Sequence, residues 1–172
     1  MNKVVKRITA SALFVALLVA TDYALHMIPG LQLVTLVITV VFYALGFWNS
    51  LLVVGIYVLI DNVIEGGLSL IFTPVMFIGW VWLLLLLLTV RKKQIAPILA
   101  FIGFFHSFLY CWTFIPVSVL FYDLSFWAYF LADIPWEIGM AVSSFLSIVV
   151  LVRPLLKATN RFMNYYEVTE VL

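Results

Sequence analysis

The chain is 172 residues long, 66% hydrophobic and only 10% charged, with a mean hydropathy of +1.23. Soluble domains carry about a quarter charged residues, so this composition excludes a soluble catalytic domain and leaves one integral membrane domain with short loops. The net charge of +1 says little by itself, no nucleic-acid partner is expected, and Cys111, the only cysteine, excludes an internal disulfide and a cysteine metal cluster.

Spanning helices need about 20 apolar residues each. Segment one runs over 4–27 and closes at Pro29-Gly30. Its start, Lys3, Lys6 and Arg7 before an apolar run, imitates a signal peptide. The apolar run is long, and we expect it to be retained as a helix. Segment two, 31–45, is short and ends at Gly46; segment three, 50–64, is broken by Glu65-Gly66-Gly67. Together these two read either as separate spans or as one re-entrant pair. Segment four, 70–90, stops at Arg91-Lys92-Lys93. Segment five covers 95–120, with Pro97 in its first turn and Pro116 near its end. Segment six covers 125–152, and a polar tail, 153–172, follows, expected to be partly helical at the surface. Alternation of the β-barrel kind is absent, so a helical bundle is the expected fold.

Charge placement gives the topology. Lysine and arginine occur only at the N-terminus, in the connection after segment four, and from Arg153 onward (Arg153, Lys157, Arg161). Six spans put all three groups on one side, which the positive-inside rule makes cytoplasmic. Asp22, Asp61, Glu65 and Asp123 then fall at or near the opposite surface. The expectation is an all-α integral membrane protein, a compact bundle of six transmembrane helices with both termini cytoplasmic. The two halves show no internal repeat, which weakens the case for an inverted-repeat carrier.

Intramembrane carboxylates are costly and mark functional sites by default. Asp133 and Glu137 lie four residues apart on segment six and project from one helix face, together with Tyr129 and Trp136. They read either as an interhelical clamp or as a ligand site, and the lack of Lys or Arg at that depth favours the ligand site. Pro135 between them frees a backbone carbonyl one turn earlier. On segment five, His106 and Tyr110 share a side with Gly103, Ser107 and Thr113. A lone histidine serves as readily in the core as in a pocket. Trp80 shares a face with Thr73, Met76 and Phe77, about two turns below the surface, too deep for an aromatic belt. Asp61 and Asn62 close segment three. For Glu65, Asp22 and His26 the solvated-surface reading is favoured. Ala12, Ala16 and Ala20 form a flat stripe on segment one, suited to close approach by another helix of this bundle or of a different protein. There is no phosphate-binding loop, no metal-ligand spacing and no catalytic constellation, so no catalytic or metal residues are expected.

In size, in its six apolar segments, in the Ala12–Ala16–Ala20 stripe and in its acidic, aromatic last segment, the chain resembles a substrate-binding S component of an energy-coupling factor (ECF) vitamin transporter. That resemblance implies a multi-pass protein of a prokaryotic plasma membrane. Its alanine stripe would dock on a transmembrane coupling protein driven by two ATP-binding subunits, with no cofactor in this chain. A small vitamin would bind near the outer face, beneath the loops His26–Leu31 and Glu65–Leu70, and the subunit would topple to release it. The expected binding residues are Asp133, Glu137, Trp136, Tyr129, His106, Tyr110, Trp80, Asp61 and Asn62. Carboxylates and aromatics without a basic partner suit a neutral or cationic heterocycle of the hydroxymethylpyrimidine, pyridoxine or thiamine type better than an anionic vitamin. An autonomous proton-coupled carrier and a small membrane enzyme or structural subunit are the alternatives.

Overall fold

The computed structural model describes residues 3–28 and 30–165 of the chain. Pro29, one residue of the expected break, and 166–172 of the expected tail lie outside them. The described residues form five helices and no strand: α1 (Lys3–Leu25), α2 (Val34–Glu65), α3 (Phe72–Thr89), α4 (Ala96–Tyr122) and α5 (Phe126–Tyr165). All five are long and apolar enough to cross a membrane, as the unbroken apolar runs require. Helices satisfy their own backbone, which lipid cannot do for them.

α2 is not a single rod. Gly46 interrupts it with φ 76° and ψ 172°, a conformation essentially confined to glycine. A straight helix of 32 residues would hold its ends about 48 Å apart. Instead Gln32, two residues ahead of the helix, shares one cavity with Asp61, Asn62 and Glu65 at its far end. Its middle lies at the opposite pole, where Leu45 packs against Ala10 and Met163 and the Tyr43 hydroxyl donates to the carbonyls of Val90 and Lys93, 3.1 Å each. The chain therefore doubles back at Gly46 into two limbs. The first limb starts at Val34 rather than at residue 31, because the connection from α1 dips inward to meet α5. The second limb resumes directly after Gly46 rather than at residue 50.

The core is chiefly leucine, valine and isoleucine drawn from all five helices, including Leu18, Ile38, Val53, Leu83, Leu84, Leu99 and Ile148, all with no exposed surface. A polar ladder crosses it. Ser143 Oγ accepts from the Gln32 N–H at 2.8 Å, Ser144 Oγ donates to Thr35 Oγ1 at 3.3 Å, and Ser107 Oγ donates to Ser144 Oγ at 3.2 Å. Such small hydroxyls let helices approach while satisfying one another. Close approach is also required where Gly30 meets Gly139, because a Cβ on either would sit 3.2 Å from the other's Cα. α4 ends on Asp123 at φ 51°, a left-handed cap that aspartate tolerates.

Residues 153–165 continue α5 as a helix along the surface, with only the side chains of Leu156 and Met163 buried among those described. Ala12, Ala16 and Ala20 are exposed, whereas Phe14, Val15 and Leu18 of the same helix are buried, so of the two uses open to the stripe it is not turned into the core. The basic residues gather at one pole, with Gln94 beside Arg153, Lys157 and Arg161. Asp22, Asp61 and Glu65 gather at the other.

Candidate functional site

A cavity of about 310 Å³ opens at the acidic pole, within the size range of small-molecule sites. Four helices and one connection build it: Asp22 of α1, Gln32 ahead of α2, Tyr57, Asp61, Asn62 and Glu65 of α2, Phe72, Met76 and Trp80 of α3, and Tyr110 and Phe114 of α4. Helical spacing places each group, because Tyr57–Asp61–Glu65, Phe72–Met76–Trp80 and Tyr110–Phe114 are steps of four along one face.

Its inner wall is a stack of rings. Trp80, only 1% exposed, has its ring centroid 4.7 Å from Tyr110, 5.4 Å from His106 and 6.4 Å from Tyr57. His106 does not reach the cavity. Its Nε2 lies 2.9 Å from the Gly79 carbonyl oxygen and must carry the proton to donate there, which leaves Nδ1 as a bare acceptor. The imidazole is stacked at 28° on Trp80 and holds that indole from behind. Gly79 is required at this point, since a Cβ there would lie 2.7 Å from Tyr110 Cδ2.

The outer wall is acidic. Asp22, Asp61 and Glu65 line the cavity with no Lys or Arg among the lining residues. The Tyr57 hydroxyl donates to Asp22 Oδ2 at 2.7 Å. Asp61 is 2% exposed and its Oδ1 has no hydrogen-bond partner; the same is true of Trp80 Nε1. A buried acceptor and a buried donor are thus both uncommitted at one cavity. Asn62 is largely spent on structure. Its Nδ2 donates to the Val58 carbonyl at 2.9 Å and to Met76 Sδ at 3.2 Å, and its Oδ1 accepts from Thr73 Oγ1 at 2.8 Å. It fixes the end of α2 to the start of α3 and keeps one lone pair for anything else. His26 Nδ1 stands 3.5 Å from Glu65 Oε1, linking the connection after α1 to the end of α2 at this pole.

Of the residues singled out from sequence, Asp61, Asn62, Trp80 and Tyr110 meet at the cavity, and His106 stands behind it. Those on α5 do not join them, and among the described residues none of α5 lines the cavity. Asp133 and Glu137 instead face α4, where one oxygen of each lies within 4.8 Å of the other and of Cys111 Sγ. Glu137 is 2% exposed and its Oε1 lacks a partner. Carboxylate oxygens and a cysteine sulfur are donor types that a divalent transition metal accepts, although Cys111 Sγ is also set 3.8 Å from Met140 Sδ. Trp136 is half exposed on the outside of the bundle, and Tyr129 is half buried. The reason is rotational. Tyr110 and Phe114 point α4 at the cavity, while Ser107 and Cys111, about 100° around the helix, face α5.

Sequence reasoning passed over Tyr57, Gln32, Phe72 and Phe114, and read Asp22 and Glu65 as solvated. The i+4 step from Tyr57 to Asp61 was the available signal.

A second concavity, about 770 Å³, runs along the outside between α1 and the second limb of α2. Ala12, Ala16 and Ala20 form one wall, with Leu52, Ile56, Ile60 and Ile64 opposite. Comparison with family models, with curated proteins and with solved structures finds no match to this chain.

Proposed function

We propose that the chain is the substrate-binding membrane subunit of an ECF-type transporter. In this reading it has six transmembrane spans, the two limbs of α2 counting separately, and both termini are cytoplasmic. The ring-and-carboxylate cavity captures a small neutral or cationic heterocycle at the outer face. A coupling protein seated on the alanine stripe, driven by two ATP-binding subunits, returns it inward. The collection of basic residues at one pole supports the orientation.

The observation that carries the reading is the pairing of two features. A small polar cavity has uncommitted polar atoms, and an apolar groove is walled by three exposed alanines. Small residues let a partner helix come within backbone contact distance. Cavity chemistry favours a ligand that offers a donor to Asp61 and a flat face to Trp80 and Tyr110, as an aminopyrimidine, pyridoxine or thiamine does.

The test separates the two features. Ala16→Trp fills the groove without touching the cavity. Binding of hydroxymethylpyrimidine, pyridoxine or thiamine by the purified variant should match the wild type, while uptake in cells that also express a coupling module should be lost. Undiminished uptake by Ala16→Trp removes the docking role. Uptake by this chain alone in proteoliposomes under a pH gradient replaces the reading with a proton-coupled carrier.

A further inference from the structure

At the pole opposite the cavity, a concavity of about 360 Å³ lies between the connection from α3 to α4 and the extension of α5 beyond its apolar stretch. It is lined by Gln94, Arg153, Leu156, Lys157, Asn160 and Arg161. We propose that this is a phosphate-binding site for the headgroup of an anionic lipid.

The three cations are spaced i, i+4 and i+8, so they stand in a row on one helix face. Among the described residues none of the three holds an ion pair or hydrogen bond, and Gln94 and Asn160 are equally uncommitted. Among the described residues no carboxylate lines the concavity. Positive charge at this pole alone would be met by side chains scattered on mobile segments. Here the frame is fixed on both sides. Tyr43 pins the connection through the carbonyls of Val90 and Lys93, and the α5 extension is docked by Leu156 and by Met163 against Ala10. α4 begins at Ala96, two residues beyond Gln94, so the positive end of its dipole adds to the same field. The row begins at Arg153, directly after the apolar stretch ends at Val152. That is the level at which a bilayer presents its phosphates, and basic pockets between helices at that level bind anionic headgroups. Planar guanidinium forks at both ends of the row suit two phosphate oxygens each.

The experiment is native mass spectrometry of the full chain in an uncharged detergent, offered phosphatidylglycerol or phosphatidylcholine, with inorganic phosphate alone as a third arm. Phosphatidylglycerol should be retained and phosphatidylcholine should not. Each cation changed to glutamine should weaken retention by about fivefold, so that Lys157→Gln with Arg161→Gln approaches the phosphatidylcholine level. Arg91→Gln with Lys92→Gln, which changes the same pole's charge outside the concavity, should leave retention intact. Equal retention of the two lipids, or equal loss in both double variants, overturns the site. Retention of inorganic phosphate with no retention of phosphatidylglycerol overturns the lipid assignment. Neither result bears on ligand binding at the opposite pole.

Discussion

Asp61→Asn is the sharpest perturbation of the cavity. The side chains are nearly the same size, so the replacement leaves the 310 Å³ space and its rings in place. It removes an acidic group, and with it an acceptor oxygen that has no partner in the folded protein. Folding should not suffer, since Asp22 and Glu65 line the same cavity and one fewer buried acidic group lies beside them. Binding should suffer. A hydrogen bond to a charged group is worth about 1.5–3 kcal/mol, which is a loss of about 10- to 150-fold in affinity. Isothermal titration of the purified variant with hydroxymethylpyrimidine, pyridoxine and thiamine reads this directly. Asp133→Asn serves as the comparison, since Asp133 faces Cys111 rather than the cavity, and it should bind like the wild type. Full affinity in Asp61→Asn together with loss in Asp133→Asn would refute the assignment and move the site to the interface of α4 and α5.

Two glycines separate cavity shape from general packing. In Gly79→Ala the new methyl would meet the Tyr110 ring edge at 2.7 and 3.0 Å, and a flat ring packed on Trp80 yields only by moving. A cost of about 1–3 kcal/mol and weakened ligand binding are expected in melting curves and titrations. Gly103→Ala meets the terminal methyl of Ile148 at 2.5 Å, with Thr35 Cγ2 at 3.4 Å and Ser144 Cβ at 3.6 Å; the one severe contact is with the far end of a flexible side chain, so a smaller loss of stability with normal binding is expected. Gly46→Ala should cost about 1–3 kcal/mol because its backbone angles exclude a side chain; a melting temperature equal to the wild type's would mean that the turn relaxes without strain.

Much of the architecture was legible because breakers and charges punctuate an otherwise apolar chain. Gly46, Gly66-Gly67 and Arg91–Lys93 mark ends that the structure keeps, and helical period alone put Met76 with Trp80 on one face. The turn at Gly46 needed no more than a glycine between two apolar runs. The site was legible only in part. Period states which residues share a helix face, not which neighbour that face meets. Asp133 and Glu137 share a face correctly, yet the rotation of α4 sends that face to Cys111 and reserves Tyr110 for the cavity. Glu65 and His26 are exposed, as their segment ends suggest, and Glu65 also borders the cavity. Asp22 is half-buried there because the Tyr57 hydroxyl of another helix reaches it, a contact that period alone does not show. The alanine stripe could pack inward or outward on sequence grounds, and only the burial of Phe14, Val15 and Leu18 on the other face decides it.

Native mass spectrometry of the freshly purified chain for a co-purifying small molecule tests the central claim most directly. The account predicts a neutral or cationic heterocycle, present in the wild type and depleted in Asp61→Asn. An anionic vitamin, or a ligand held equally well by Asp61→Asn, would contradict it.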